Sequence, residues 1–384
     1  MNSRSVEFAL SHSETEKSTK RDCIGKKVQK MKAVSCFPKV RIQYKRIEMK
    51  NATIYEIAKK ANTSIATVSR AINSPHMLNK NTYDKILKVM DEINYTYNET
   101  AANFSKKKSN AVCVLVPHIT SSVFSRSISA IQKVLYEKGY YLVTANTEYD
   151  GFIERKRLQQ IKSQRFAGLL MFGFSIENTE QIVELHKSGM HIVIMWEHAI
   201  EPLNYVGFDN YKTTRMALEY LLSLGHKKIG FILGPYSKVG RAYHRYQACC
   251  DIIKEHHLSI PDHLIQEALP TIEDGKRIMK SMLQSSDTPT AVYCNNDLQA
   301  IGAIHEIHKA GLKVPDDISV CGYDDIEIAQ YYSPALTTIH VKAYDIGKIA
   351  AQELINKIEK NNKNRIAHDI PAEIIERASC ANIN

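Results

Sequence analysis

The 384-residue sequence lacks the marks of several protein classes. No apolar run reaches the ~18 residues that a membrane-spanning helix needs. The basic, Ser-rich N-terminus has no apolar segment of the kind that marks a secretory signal. Eight cysteines are spread along the chain without a CxxC pair, which favours a reducing cytoplasm over disulfides or a zinc site. The length predicts two or three domains.

Signatures of common enzyme classes are also absent. The chain has no P-loop, GxGxxG, GxSxG or HExxH motif, and its histidines lack the spacing typical of metal ligands. The acidic pair Asp316-Asp317 follows Pro315 and is interpreted as a solvated turn rather than as acid–base machinery. We therefore expect no enzymatic activity, no cofactor and no metal.

The positive charge is concentrated at the front of the chain. Residues 1–50 hold 13 Lys and Arg against 5 Asp and Glu, and residues 51–110 hold 9 against 5. The remainder holds 29 against 31, so it is almost neutral. A basic front on a neutral body indicates a polyanionic partner at that end, although a basic tail that only aids solubility is the alternative.

Residues 1–48 show no periodicity and are interpreted as a disordered basic extension. A second interpretation is that this segment is not translated. The codons for Lys45-Arg46-Ile47-Glu48, just before Met49, could contain a ribosome-binding sequence. Translation would then start at Met49.

Residues 53–73 carry the signals of two short helices joined by a tight turn. Thr53 and Glu56 have the spacing of a capping box, and apolar residues then recur at helical spacing as far as Ala61. Asn62 suits the turn because asparagine tolerates a positive φ, and Ser64 is a second N-cap. This pattern indicates a helix-turn-helix, whose second helix enters the major groove of DNA.

The second helix has an apolar and a polar face. Val68, Ala71 and Ile72 are predicted to point inward, whereas the outward set is rich in hydroxyls and carries one Arg. Such a surface suits phosphates and base edges, with an ordinary helical hairpin as the alternative. The outward residues are Ile65, Ala66, Thr67, Ser69, Arg70 and Asn73.

A third helix follows, capped by Asn79, and Asn94, Tyr95 and Asn98 come after it. With these residues, the segment from Thr53 resembles the headpiece of the LacI/GalR family of bacterial transcription repressors position by position. The resemblance covers residues 49–380. It implies a DNA-binding headpiece at 51–97, a hinge helix and linker at 98–109, and an effector-binding and dimerisation body at 110–384.

The resemblance also implies which residues contact DNA. Ile65, Ala66 and Arg70 match base-reading positions, and Phe104 occupies the place of the hinge-helix wedge, usually Leu, that enters the minor groove. The hinge helix is too short to persist alone and is expected to order on DNA. The family's turn Gly, hinge Pro and hinge Arg are here Asn62, Tyr97 and Ala102, so the operator sequence stays open. The other matched positions are Thr53, Tyr55, Ser64, Thr67, Ser69, Asn73, Tyr95, Asn98 and Ala101.

From residue 111 short apolar runs alternate with helical stretches. This pattern predicts an α/β fold with parallel sheets, which bind ligands beyond the carboxyl ends of their strands. The resemblance implies a two-lobed, periplasmic-binding-protein-like body, with an N-lobe at 110–209 and 341–370 and a C-lobe at 210–340 plus the last strand. The predicted strands are 111–117, 140–145, 167–173, 191–196, 228–234, 291–295 and 318–323.

Effector-binding residues are implied in the same way. Phe124 matches a position that packs on the effector ring, Asn296 and Asp324 match positions that bind polar groups, and Arg245 lies in an Arg-x-x-Ala version of the family's Arg-x-x-Gly. An aromatic ring with acid, amide and guanidinium groups suits a polyhydroxylated sugar, since each hydroxyl both donates and accepts. From the residues alone, a core Phe124 and an Arg245 in a surface ion pair are the simpler interpretation.

Trp196-Glu197 stands where many relatives carry Asp-Arg. The pair either stacks on a sugar at the cleft mouth or Trp196 fills the core, and both interpretations stay open. Arg241 lies near the other candidates.

We expect a cytoplasmic, sequence-specific DNA-binding regulator, a repressor of a carbohydrate-utilisation operon. It would act as a homodimer on a pseudo-palindromic operator and respond to a sugar or sugar phosphate; the absence of a leucine-heptad tail favours a dimer over a tetramer. The alternative is a pleiotropic carbon catabolite regulator with a phosphorylated carrier protein as corepressor. An exported solute-binding protein would need a signal peptide, and no motif supports an enzyme.

Overall fold

The computed structural model describes residues 53–95, 109–360 and 364–383. These residues fall into two compact units, a headpiece (53–95) and a body (109–383). The predicted extension 1–48 and residues 98–108 of the predicted hinge segment lie outside the described residues. In the described part of the chain, no helix is long and apolar enough to cross a membrane.

The headpiece contains three helices, and local capping explains where each begins. The Thr53 hydroxyl accepts the Glu56 N–H, and the Glu56 carboxylate accepts the Thr53 N–H at 2.9 Å, which completes the predicted capping box. Asn62 has φ +50° in the turn, and Asn79 Oδ1 accepts the Thr82 N–H at 2.8 Å. The helices are α1 (Ile54–Lys60), α2 (Ile65–Asn73) and α3 (Lys80–Glu92), with a 3₁₀ turn at Pro75–Met77.

A small apolar core holds these helices together. Ile57, Val68 and Ile86 are fully buried, one from each helix, and Ala71 is nearly so. Ile72 packs partly buried against this core. The inward face predicted for the second helix is therefore confirmed.

The N-lobe of the body contains a parallel sheet. Its central strands are buried because helices cover both faces of the sheet. The last strand of this sheet comes from near the end of the chain. Its strands are β1 (Ala111–Val116), β2 (Tyr141–Asn146), β3 (Gly168–Phe172), β4 (Ile192–Met195), β5 (Asn204–Gly207) and β11 (Ala367–Asp369), in the order β11-β5-β4-β3-β1-β2. Its helices are α4 (Ser122–Glu137), α5 (Gly151–Gln164), α6 (Thr179–Lys187) and α11 (Ala343–Lys360).

The C-lobe repeats this plan, except that its last strand runs antiparallel at the edge. Its strands are β6 (Ile229–Leu233), β7 (Ile265–Glu267), β8 (Ala291–Cys294), β9 (Ser319–Asp324), β10 (Thr337–His340) and β12 (Glu373–Ile375), in the order β12-β10-β9-β8-β6-β7. Its helices are α7 (Asn210–Ser223), α8 (Gly240–Glu255), α9 (Ile272–Leu283) and α10 (Asp297–Lys309).

The chain passes between the lobes three times, after β5, after β10 and after β11. The predicted two-lobed α/β fold with parallel sheets is confirmed, and each of the seven predicted strands is present to within a residue or two. Short strands β5, β7, β10 and β11 were not predicted as strands, whereas β12 is the last strand that the resemblance placed in the C-lobe.

A buried carboxylate stabilises the C-lobe beside the cleft, where strand β9 ends. Asp297, at the start of α10, accepts the Thr338 hydroxyl at 2.6 Å and the Ile326 N–H at 2.8 Å. Gly322 leaves room for it, because a Cβ on Gly322 would lie 2.3 Å from Asp297 Oδ1. Burial raises the pKa of Asp297 well above its usual range. This carboxylate therefore ties the loop after β9 to β10.

We expect Asp297→Ala to lower the free energy of unfolding by about 3 kcal/mol, since two buried donors lose their acceptor. Asp297→Asn is the matched control: its amide oxygen still accepts the Ile326 N–H, and its NH₂ donates to the Thr338 hydroxyl, so we expect less than half that loss. Denaturant unfolding of both variants measures the difference. Equal losses would show that the hydrogen bonds are not what stabilises this edge.

Candidate functional site

Helix α2 presents most of its predicted contact residues to solvent. Ile65 is 41% exposed, Ala66 and Arg70 are exposed, and Thr67 and Ser69 are half-buried. The exposed Ser64 begins the helix, with its Oγ accepting the Thr67 N–H at 3.1 Å. A helix N-terminus lined by small hydroxyl residues can approach phosphates and base edges closely.

The other headpiece candidates are more varied. Tyr55 is 68% exposed and Thr53 is exposed beside it. Tyr95, predicted to contact the DNA backbone, is half-buried and packs against the headpiece core. The side chain of Asn73 and all of Asn98, Ala101 and Phe104 lie outside the described residues, so their roles stay predictions.

In the body, a cleft lies between the lobes at the carboxyl ends of their strands. Phe124, Trp196, Arg245, Asn296 and Asp324 all line it. The structure thus brings together the five residues predicted to bind the effector. The cavity enclosed by these residues has a volume of about 40 Å³, below the ~300–1,000 Å³ of typical small-ligand sites, so a bound effector requires the lobes to part.

Aromatic side chains form the N-lobe wall of this cleft. The Phe124 ring lies 4.9 Å from that of Phe172 and meets the Trp196 ring edge-on at 5.4 Å, between centroids. Trp196 has a positive φ of +73° and is 1% exposed. It is therefore a buried wall residue rather than a platform at the mouth. Its indole Nε1 has no hydrogen-bond partner among the described residues, which leaves a donor beside the cleft.

Arg245 forms part of the floor and is 4% exposed, so the surface ion pair considered from the sequence is wrong. Its Nε donates to Asn210 Oδ1 at 2.9 Å, and its Nη1 donates to the Asn295 carbonyl at 2.8 Å. Its guanidinium carbon lies 3.6 Å from the centroid of the Tyr323 ring, a cation–π contact. Asn210 in turn donates to the Trp196 carbonyl at 2.9 Å, which links the floor to the aromatic wall.

The two predicted polar residues of the cleft differ in their hydrogen-bond partners. The Asn296 side chain accepts the Gln299 N–H at 2.8 Å, so its oxygen caps α10. Asp324 has φ +107°, and no described residue hydrogen-bonds its carboxylate. Burial raises the pKa of Asp324 to about 7, while Arg245 and Arg241 oppose the rise. Asp324 thus lines the cleft with a carboxylate that no described residue hydrogen-bonds.

Tyr149 lines the cleft but was missed from the sequence. It lies in the turn between β2 and α5 with φ +55°, outside any periodic pattern. Arg241, a further candidate from the sequence, enters the cleft from α8, and its Nη1 donates to the Phe172 carbonyl at 2.6 Å. The position of the Arg241 side chain depends on a contact with the other lobe, and no local sequence pattern predicts such a contact.

The lobes also meet along a seam beside Arg241. Ser175 and Val239 form an antiparallel bridge, and the Ile176 N–H donates to the Lys238 carbonyl at 2.9 Å. Glu197, 2% exposed, lies at this seam, since a Cβ on Gly240 of the C-lobe would be 3.0 Å from its Oε2. Burial raises the pKa of Glu197 to about 7, and Arg241 opposes the rise.

Known proteins match both parts of the chain. The profile of bacterial regulatory proteins of the lacI family matches residues 53–98, and that of periplasmic binding protein-like domains matches residues 218–380. The HTH-type transcriptional repressor PurR of Klebsiella pneumoniae (strain 342) is 31% identical over 337 residues, which are 86% of this chain and 97% of that protein. The chain belongs to the LacI family.

Other LacI-family proteins agree with this assignment. The NTD biosynthesis operon regulator NtdR of Bacillus subtilis (strain 168) is 31% identical over 85% of this chain and 99% of its own. The Lac repressor bound to ONPG has a TM-score of 0.76 at 25% identity, over 86% of this chain and 100% of its own. A LacI family regulator from Lactobacillus casei with bound glucose has a TM-score of 0.64 at 27% identity, over 70% of this chain and 99% of its own. The protein is a DNA-binding transcriptional repressor with an effector-binding domain, not an enzyme.

Glu197 predicts a pH-dependent stability. Its raised pKa means that the folded body keeps a proton that the unfolded chain, with a pKa near 4.5, releases. Stability is therefore lost as pH rises from about 4.5 to about 7. We expect Glu197→Gln to remove about 3 kcal/mol of this loss, with Asp324 contributing a further loss of the same sign.

Thermal unfolding between pH 5 and pH 8 at constant ionic strength measures the effect. Glu180→Gln, at an exposed position of α6, is the control and should leave the pH dependence unchanged. A fall in Tm as steep in Glu197→Gln as in the wild type would contradict the assignment.

Proposed function

We propose that this repressor controls a carbohydrate-utilisation operon and that its effector is a small sugar or sugar phosphate bound in the interlobe cleft. The observation that carries the proposal is the Asp324 carboxylate, which faces the cleft without a hydrogen-bond partner among the described residues. A carboxylate accepts two hydroxyl donors well, and adjacent hydroxyls of a sugar supply them.

The remaining chemistry of the cleft supports the same ligand class. Phe124 offers an apolar ring to the C–H face of a sugar, and the Trp196 indole N–H lacks an acceptor among the described residues. Asn296 and the two guanidinium groups add donors around the same space. The glucose-bound relative from Lactobacillus casei, 27% identical, is a further reason to test sugars first.

On the DNA side, we propose base reading by Ile65, Ala66 and Arg70 in the major groove of a pseudo-palindromic operator in the cytoplasm. The effector would change how the lobes close and so alter operator affinity. Such coupling is reciprocal, so an effector that weakens DNA binding is itself bound less tightly on the operator.

Two half-sites call for a homodimer, and the body has surfaces suited to one. β2 ends the order of described strands in the N-lobe sheet, and Val143 on it is 41% exposed. Tyr136 is 82% exposed at the end of α4, and in the C-lobe Tyr331 and Ile328 are 72% and 48% exposed. Exposed edges and aromatic residues of this kind are favourable interface material.

Arg70→Ala tests the DNA proposal. A site selected from a random-sequence library and a scrambled duplex are compared by titration at fixed salt. We expect the ratio of the two affinities to fall by about 5- to 150-fold, because a bidentate Arg–base contact discriminates by about 1–3 kcal/mol. Lys85→Ala, an exposed cation on α3, is the control and should weaken both duplexes equally if at all. Equal losses for Arg70→Ala on both duplexes would contradict base reading.

The effector proposal is tested by thermal shift of the full chain against sugars, sugar phosphates, nucleobases and a phosphorylated carrier protein. At ~100 times its dissociation constant a ligand stabilises by about 2.7 kcal/mol. We expect a sugar to shift the wild type and Asp316→Ala, whose side chain is exposed elsewhere, but not Asp324→Ala.

A shift by a nucleobase alone would overturn the carbohydrate assignment. A shift by the phosphoprotein alone would favour the pleiotropic regulator instead.

A further inference from the structure

Strand β9 ends in a strained backbone conformation at the cleft. Asp324 has φ +107° and the next residue, Asp325, has φ +51°. A positive φ costs free energy at any residue except glycine, although aspartate tolerates it better than most. Among the described residues, two consecutive positive values outside glycine recur only at Glu148-Tyr149, and Tyr149 also lines the cleft. The contacts around β9 must therefore hold its end in place, since strained residues persist only where the surrounding structure fixes them.

The Asp325 carboxylate makes the contacts that can do this. Its Oδ1 accepts a hydrogen bond from Arg377 Nη2 at 2.7 Å, and its Oδ2 accepts one from His340 Nδ1 at 2.8 Å. The Asp325 and Arg377 side chains are 16% and 17% exposed, so solvent screens their ion pair only in part. Arg377 Nη1 also donates to the Leu336 carbonyl at 2.8 Å, and His340 lies in β10 as the register partner of Asp324. Both oxygens of Asp325 are thus held by groups that have fixed positions.

The residue after Asp325 is held as well, whereas the side chain before it is free. The Ile326 N–H donates to the buried Asp297 carboxylate at 2.8 Å. The Asp324 carboxylate has no hydrogen-bond partner among the described residues. The direction of the Asp324 side chain therefore depends on a backbone that Asp325 and Asp297 fix.

This restraint matters because Asp324 has space on two sides. It lines the effector cavity of about 40 Å³ and also a second interlobe cavity of about 140 Å³. The carboxylate interacts with Arg245 and Arg241, which line the effector cavity. Arg126 of α4 lines the second cavity and offers a cation there too. A carboxylate without a hydrogen-bond partner could turn toward either cavity once the backbone is released.

We propose that Asp325 is a positioning residue for the effector. Bound to Arg377 and His340, it holds the end of β9 in the positive-φ conformation that directs the Asp324 carboxylate at the hydroxyls of a sugar. The proposal rests on the sugar effector proposed above and deepens it. It assigns part of the strength of sugar binding to a side chain that does not line the effector cavity.

Calorimetric titration of the full chain tests the proposal, with glucose as the first probe and the other sugars of the thermal screen after it. We expect Asp325→Ala to bind the sugar at least about 10-fold more weakly than the wild type. Alanine removes both contacts of the carboxylate and disfavours a φ of +51°.

Asp325→Asn and Asp325→Gly separate positioning from stability. Asparagine keeps an acceptor for Arg377 and tolerates a positive φ, whereas glycine adopts a positive φ freely but makes neither contact. We therefore expect sugar affinity to fall in the order wild type, Asn, Gly, Ala. If the cluster only stabilises the C-lobe, all three variants should lower Tm and still bind the sugar as tightly as the wild type.

Glu255→Ala is the control. It removes an ion pair with Arg215 Nη2, 2.8 Å long, at the opposite end of α8 from Arg241, and should leave sugar affinity unchanged. Arg377→Lys keeps the test available if Asp325→Ala does not fold. Lysine keeps the charge but lacks the planar fork that contacts Asp325 and the Leu336 carbonyl together, so sugar binding should weaken in this variant as well.

Hydrogen exchange of the ligand-free chain gives a measurement that needs no sugar. The Asp325 and Ile326 N–H groups donate to Thr338 Oγ1 and to Asp297. We expect exchange in the segment 322–328 to be faster in Asp325→Ala than in the wild type, because the backbone there is released. Unchanged exchange in this segment would overturn the proposal.

The outcomes separate the two proposals. Sugar binding by the wild type without a loss in Asp325→Ala would overturn the positioning role and leave the sugar effector intact. Absence of sugar binding by the wild type would overturn the sugar effector, and with it the role of Asp325 toward a sugar. Faster exchange in Asp325→Ala would then assign the cluster to stability alone.

Discussion

The hydrogen bond from Arg241 to the Phe172 carbonyl joins a helix of one lobe to the end of a central strand of the other. This bond and the bridge between Ser175 and Val239 hold the two lobes together around the cleft. Beside this bond, residue 173 is a glycine, since a side chain there would overlap Arg241, and Tyr149 has a left-handed backbone conformation. Glu197 stays buried beside it with a raised pKa. Each of these features costs free energy locally. Together they indicate that the sequence favours the closed arrangement of the lobes.

Features that depend on neighbouring residues could be predicted from the sequence. The helix starts at Thr53, Ser64 and Asn79 follow from capping, and the long apolar strands follow from runs that both faces of a parallel sheet must bury. The short strands could not be predicted this way. β11, Ala-His-Asp, has no apolar pattern and is a strand only because β5 lies beside it.

The residues of the cleft show the same difference between features that the sequence predicts and features that it does not. Phe124, Asn296 and Asp324 are predicted because they match family positions one to one, whereas no sequence pattern predicts that Phe124 is buried or that the Asp324 carboxylate lacks a hydrogen-bond partner among the described residues. For Trp196 the sequence leaves two interpretations open, stacking at the cleft mouth or filling the core, because an aromatic next to an acid is compatible with both. The structure buries it, since the strand end turns at a positive φ and directs the ring among Phe124, Phe172 and Phe208.

The bridge between Ser175 and Val239 closes one side of the cleft. An incoming molecule then enters only in the moments when the lobes part, so its association is limited by that opening rather than by diffusion. With rising effector concentration, the observed association rate should level off at the opening rate. The time the cell needs to change transcription would then depend on how often this seam opens, and not only on how much effector is present.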